Sequence, residues 1–121
     1  MIDILSGFPE NILAFRAHGV VDKDDYENIM IPAFQAGFSR DEKLRVYYEV
    51  ASDFDHYTAG AMWEDMGLGL SYFDRWESVV VVSDIDWMVR ATELFRFLCP
   101  CPVKVFSLAE ADKAKAWICQ K

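Results

Sequence analysis

The fold is decided by one stretch of sequence, Ser78-Val79-Val80-Val81-Val82-Ser83. Four consecutive β-branched residues favour an extended strand over a helix. The run shows no alternation of apolar and polar side chains, so we predict a strand that is buried on both faces, as in the interior of a parallel sheet. Because parallel neighbours need crossover connections, the flanking sequence should alternate strands with helices.

That alternation is visible in both directions from the valine run. Period-two patterns and turn residues predict strands at residues 2–5, 11–20, 44–50, 78–83 and 103–106. Helical spacing predicts helices at 22–38, 59–73, between Ser83 and Pro100, and 107–120, the first one kinked or split near Met30 by Pro32. We therefore expect one α/β domain over residues 1–121, with four helices and a mostly parallel sheet of about five strands whose edge strand is antiparallel.

Composition limits the classes of partner. Of 121 residues, 53% are hydrophobic, which is enough for one core. Acidic residues outnumber basic ones by 20 to 12, and the net charge of −8 argues against binding nucleic acid or anionic membranes. The N-terminus resembles no signal peptide, the apolar runs are too short to span a membrane, and the cysteines number three. We expect a cytoplasmic protein with reduced thiols and no integral membrane association.

Five segments carry a family resemblance. They are Ile4-Leu5-Ser6-Gly7-Phe8-Pro9, Val20-Val21-Asp22-Lys23-Asp24-Asp25-Tyr26, Ala59-Gly60-Ala61-Met62-Trp63-Glu64-Asp65, Val82-Ser83-Asp84-Ile85-Asp86-Trp87 and Ala114-Lys115-Ala116-Trp117. With the order of the elements, they resemble the small, stand-alone bacterial branch of the SpoIIAA-like family. This family belongs to the STAS group, which is related in structure to the lipid-binding Sec14/CRAL-TRIO domains. The resemblance implies a STAS-like fold.

The resemblance also implies one candidate for regulation. In the better-understood STAS regulators, a partner kinase phosphorylates a Ser at the start of the helix after the third strand, and the phosphate blocks partner binding. Their Asp-Ser-Ser-Gly pattern is replaced here by Asp55-His56-Tyr57-Thr58-Ala59-Gly60. Thr58 is therefore the candidate for a phospho-switch, and it is also a plausible N-cap of the helix without any further role.

Catalytic and metal chemistry find little support in the sequence. Asp53, Asp55 and Glu64 match positions 1, 3 and 12 of a calcium loop, but Thr58 stands where the loop needs Gly. The Cys99-Pro100-Cys101 motif has one residue between its thiols and follows a helix C-terminus, which disfavours a thiolate. The two histidines lie in no recognisable nucleophile motif. We expect no metal, no cofactor and no enzymatic activity.

A binding face is predicted at the carboxyl end of the third strand. We interpret residues 51–58 as a polar loop, which together with the first turns of the next helix presents Tyr57, Thr58 and Trp63. Met66 and Trp87 are added because Met and Trp suit adaptable binding surfaces, although such residues also fill cores or dimer contacts. Two functions remain open. The first is a protein-interaction or regulatory domain that binds a protein partner and self-associates as a homodimer. The alternative is a small carrier or sensor of an apolar, lipid-like ligand.

Overall fold

The computed structural model describes residues 1–72 and 74–120, apart from the side chains of residues 69 and 70. The predicted helix end at Phe73 lies outside the described residues. The strands are β1 (Ile2–Ile4), β2 (Ile12–Val21), β3 (Leu44–Tyr57), β4 (Trp76–Val82) and β5 (Val103–Phe106). The helices are α1 (Lys23–Asp25), α2 (Ile31–Arg40), α3 (Ala59–Ser71), α4 (Asp86–Leu98) and α5 (Ala111–Ile118), with a π-helical turn (Tyr26–Met30) and a 3-10 turn (Leu108–Glu110).

The strands form a five-stranded sheet in the order β1-β2-β3-β4-β5. The β1 strand pairs antiparallel with β2 at one edge, and the other pairs are parallel. The predicted α/β architecture is therefore confirmed, including the antiparallel edge strand and the interior position of the valine strand. No helix within the described part of the chain is long and apolar enough to cross a membrane.

One part of the prediction for the valine strand is wrong. Val80 and Val82 are fully buried under α5, but Val79 and Val81 on the opposite face are only half-buried. The helices on that face leave part of the sheet uncovered: α3 packs mainly against α1 and the π-helical turn, and α4 packs mainly against β5. The sheet is thus tightly packed on one face and open on the other.

The interpretation of residues 51–58 as a loop is also wrong. The β3 strand continues to Tyr57, because Phe54, His56 and Tyr57 pair with the end of β2. The register shifts around Gly19, whose φ of 57° is a conformation that favours glycine. The shift extends the pairing past residue 50 although the segment contains exposed aspartates. It carries Tyr57 to the carboxyl end of the sheet.

The first helical segment is continuous but irregular. Asp22 and Asp25 form a capping box at its start. The predicted irregularity near Met30 is confirmed, because the chain adopts a π-helical turn immediately before the α2 turn that contains Pro32. The turn directs Tyr26 into the protein, where the residue is 1% exposed.

Candidate functional site

The uncovered face of the sheet forms the floor of a cavity of about 510 Å³. Its walls come from α3 and α4, and its lining is mostly apolar. The lining residues are Tyr26, Met30, Phe34, Val46, Tyr48, Tyr57, Met62, Asp65, Met66, Leu68, Trp76, Val79, Val81, Trp87, Met88, Ala91, Thr92, Phe95 and Leu98. The half-buried valines of β4 remain partly exposed because they face this cavity.

Four polar side chains cluster within the cavity. The hydroxyl of Tyr26 donates a hydrogen bond of 2.9 Å to Asp65 Oδ1. The hydroxyls of Tyr48 and Tyr57 are 2.5 Å apart and share a second hydrogen bond. The π-helical turn, β3 and α3 each contribute to the cluster, so its geometry depends on the tertiary fold and not on one local motif.

The protein interior changes the acidity of these groups. Burial raises the pKa of Tyr26, Tyr48 and Tyr57, so all three phenols stay protonated at neutral pH. Asp65 is exposed, but it lines the cavity, and the loss of surrounding water raises its pKa above the ordinary value. The hydrogen bond from Tyr26 opposes that rise. The Asp65 carboxyl group therefore faces the cavity in surroundings that stabilise its negative charge less well than water does.

The opposite end of the cavity is lined by aromatic and aliphatic groups. Trp76 stands at the start of β4, and its ring lies 5.2 Å from that of Phe34 in an edge-to-face arrangement. Leu68, near the end of α3, belongs to the same buried cluster. Since α3 runs back along the sheet from Tyr57 towards Trp76, the cavity has a polar end and an apolar end.

The mouth of the cavity is rimmed by exposed apolar side chains. Met62 and Met66 on α3 are 51% and 59% exposed, and Trp87 and Leu98 on α4 are 48% and 65% exposed. The Trp87 ring also contacts the Tyr57 ring edge-to-face, with 6.0 Å between centroids. These residues connect the cavity to solvent and can bury further surface if the opening is filled.

The structure places some of the predicted site residues in the cavity and others outside it. Tyr57, Met66 and Trp87 line the cavity, whereas Trp63 is 74% exposed and lines a separate depression between α2 and α3. Thr58 caps α3: its Oγ1 accepts a hydrogen bond of 3.2 Å from the N–H of Ala61. Whether the capping hydroxyl also serves as a phosphorylation site stays a prediction.

Three residues of the polar cluster were missed by sequence reasoning. Met62 and Met66 form part of an apolar stripe on α3, and Asp65, three positions after Met62, lies on the same face of the helix. An acidic residue on such a stripe is the signal that could have found it. Tyr48 follows the apolar alternation of β3, and its hydrogen bond with Tyr57 depends on the extension of that strand to residue 57. Tyr26 is directed inward by the π-helical turn.

The remaining chemistry of the described residues is sparse. Residues 1–72 and 74–120 contain no group of three or more His, Cys, Asp or Glu residues arranged to hold a metal ion. Cys99 and Cys101 are buried with their sulfur atoms 2.7 Å apart. Burial, followed by the hydrogen bond with Cys99, raises the pKa of Cys101 to about 12. The cavity is therefore the strongest candidate site.

Comparisons with known proteins identify the fold family. No curated protein matches the chain. Among solved structures, the chain is similar to an uncharacterised protein of the DUF3478 family with a SpoIIAA-like fold from Shewanella loihica PV-4. The two share 23% identity and a TM-score of 0.77, over 98% of this chain and 94% of that one. The SpoIIAA-like family model matches residues 12–119, and the chain therefore belongs to the SpoIIAA-like family.

Proposed function

We propose that the protein is a non-enzymatic binding protein that takes an apolar small molecule into the cavity under α3 and α4. The observation that carries this proposal is the cavity itself, about 510 Å³ in volume with a mostly apolar lining. Small-molecule sites typically measure roughly 300–1,000 Å³ and combine apolar walls with a few polar groups. The Tyr and Asp cluster supplies those polar groups.

Energetics support the same function. Unfilled apolar space inside a protein lowers its stability, and exposed apolar side chains around it leave burial incomplete. A ligand that fills the space would bury the half-exposed faces of Val79 and Val81 and part of the rim at Met62 and Met66. Methionine side chains adapt to differently shaped ligands, so they suit the wall of such a site.

A titration with a neutral fluorescent probe, 1-N-phenylnaphthylamine, tests the proposal. Binding should raise the fluorescence in a saturable way. Val81→Phe fills the floor of the cavity and should abolish the rise, whereas Val20→Phe, at a 43% exposed position on β2, should leave it unchanged. Native mass spectrometry of protein purified from its own cells should show additional bound mass. Equal binding by wild type and Val81→Phe would contradict the proposal.

A second candidate function is favoured by the outer surface of α3 and α4. Trp63, Leu94 and Phe97 are 74%, 64% and 86% exposed, which is unusual for large apolar residues. We infer from this surface a protein-interaction role resembling that of STAS-type regulators, with a second copy of the chain as the partner. Under this function Thr58 is the phospho-switch, and Tyr57, Trp63, Met66 and Trp87 lie on or beside the contact surface.

Analytical ultracentrifugation distinguishes the second function from the first. A homodimer should dissociate when Phe97→Ser and Leu94→Ser are combined, while probe binding in the cavity is retained. A matched double variant on the opposite side of the sheet, Lys113→Ser with Asp112→Ser on α5, should leave the sedimentation unchanged. Wild-type protein that sediments as a monomer at all accessible concentrations would exclude self-association.

A further inference from the structure

The polar end of the cavity holds more hydrogen-bond acceptors than donors. Three phenols bring three O–H donors; Tyr26 gives its proton to Asp65, and either Tyr48 or Tyr57 gives its proton to the other. At most one phenol proton is then left for a ligand. Among residues 1–72 and 74–120 no donor forms a hydrogen bond to Asp65 Oδ2, so that oxygen is available as an acceptor.

Other polar groups of the cavity do not reverse this balance. The hydroxyl of Thr92 also lines the cavity, but its proton is engaged by the backbone carbonyl of Met88 at 2.8 Å. Trp87 adds one indole N–H at the mouth, where the ring is 48% exposed. A molecule bound at the polar end must therefore supply donors of its own if the acceptors are to be satisfied when water leaves.

The charge of the cavity lining also disfavours an acceptor-only, anionic head group. Among the described residues that line the cavity there is no Lys, Arg or His, and Asp65 is the acidic one. An anionic head group would meet the Asp65 carboxylate without a compensating cation, in surroundings where water screens poorly. The net charge of −8 on the whole chain adds to this repulsion.

We propose that the cavity selects apolar molecules whose head group donates hydrogen bonds, either a hydroxyl or a protonated amine, and that it disfavours fatty carboxylates. This inference rests on the proposed ligand-binding function and defines its ligand class. The head group contacts Asp65 and the phenol oxygens of Tyr48 and Tyr57, while the tail extends towards Trp76. For an amine, the rings of Tyr57 and Trp87 add cation–π attraction.

Four compounds that share a straight chain of ten carbon atoms and differ in the head group test the inference. Decylamine, 1-decanol, decanoate and decyl methyl ether each compete with 1-N-phenylnaphthylamine for the protein at pH 7. The two donor compounds should displace the probe at concentrations about tenfold lower than the carboxylate or the ether, the factor expected from one good hydrogen bond to a charged acceptor. If decylamine competes more strongly than 1-decanol, the cavity favours a cationic head group. If the two compete equally, a neutral donor is sufficient. Either result supports the selection for donor head groups.

Variants test whether the polar cluster of Tyr26, Tyr48, Tyr57 and Asp65 causes the head-group selection. Asp65→Asn should weaken decylamine and strengthen decanoate, so that their difference falls to about twofold or less. Asp112→Asn removes the same charge from α5, on the other face of the sheet, and should keep the wild-type order. Tyr57→Phe, which removes one acceptor oxygen, should weaken 1-decanol relative to the ether and provides a second test if Asp65→Asn folds poorly.

The possible failures separate the two proposals. If the probe binds but all four compounds compete equally, head-group selection is overturned and the apolar site stands. If decanoate is the strongest competitor, the selection is also overturned. If the probe does not bind at all, both proposals fail together.

Discussion

The hydroxyl of Tyr26 lies 2.9 Å from Asp65 Oδ1 and donates a hydrogen bond to it, although 39 positions separate the two residues in the chain. Tyr26 belongs to the π-helical turn that follows β2, and Asp65 belongs to the helix that follows β3. The bond therefore fixes the distance between the first helical segment and the wall of the cavity formed by α3. It links the packing of the fold to the geometry of the candidate site.

Tyr26→Phe should lower the free energy of unfolding by about 1 kcal/mol, the typical value of one buried hydrogen bond. The ring stays, so the apolar contacts of this 1% exposed residue are preserved. Urea unfolding followed by circular dichroism measures the change. Tyr72→Phe, whose ring stacks on Phe38, is the matched control and should change stability less. Equal losses in both variants would contradict a specific role of the Tyr26–Asp65 bond.

Asp65→Asn should make the protein more stable at neutral pH and should remove one pH dependence. The pKa of Asp65 is raised in the folded protein, so the folded state binds the proton more tightly than the unfolded state does. Its contribution to stability is present below the ordinary carboxyl pKa and is lost as pH rises through the raised one. Melting temperatures of wild type and variant should thus converge in acid and diverge towards neutral pH, and a constant difference would contradict the assignment.

Much of the fold could be predicted because hydrophobic periodicity reports secondary structure directly. The valine run predicted an interior strand, and the order of the strands in the sheet confirms it. The strand register was harder to predict: the pairing of Tyr57 with Val21 depends on extra residues in β3 opposite Gly19, for which the local sequence gives no signal. The predicted loop at 51–58 was therefore half of a long strand.

Burial on each face was harder to predict than the strands themselves. Glu49 alternates with Tyr48 and Val50 in β3, a pattern typical of a solvent-facing side chain, yet it is 9% exposed and is held by Arg16 at 2.6 Å and by the hydroxyl of Tyr47 at 2.7 Å. Conversely, the apolar face of β4 opens onto the cavity. Sequence patterns indicate which side chains tolerate burial, but the distance of a helix from a sheet depends on tertiary packing.

Cys101 should react slowly with a thiol reagent at pH 8, because burial raises its pKa to about 12 and leaves little thiolate. Cys119 is only half-buried and should react first. Kinetics with 5,5′-dithiobis(2-nitrobenzoate), comparing wild type with Cys119→Ser, separate the two classes. The variant should react appreciably only after unfolding. A fast reaction of the folded variant would contradict the prediction that the Cys99-Pro100-Cys101 motif disfavours a thiolate.

Thr58→Ala should destabilise the protein by about 1 kcal/mol, because the first turn of α3 loses the oxygen that accepts from Ala61. Thr58→Asp retains an acceptor at the same place and adds a negative charge at a helix N-terminus, so its stability should be close to that of wild type. Thermal unfolding measures both. If Thr58→Asp abolishes dimerisation while it remains as stable as wild type, the hydroxyl is also a switch and not a cap alone.

Gly67→Ala should stabilise α3 without changing the cavity. A Cβ added at Gly67 meets open space, and replacing glycine by alanine inside a helix gains roughly 0.5–1 kcal/mol. Gly67 does not line the main cavity, so the affinity for 1-N-phenylnaphthylamine should stay the same.

Gly37→Ala on α2 is the contrasting variant for this prediction. There the added Cβ would lie 2.7 Å from Leu44 Cδ1, a side chain that is fully buried, and the overpacking should lower stability. Urea unfolding should therefore move the two glycine variants in opposite directions from wild type. If Gly67→Ala instead reduces probe affinity, a stiffer α3 restricts entry, and the helix must bend for the cavity to accept its ligand.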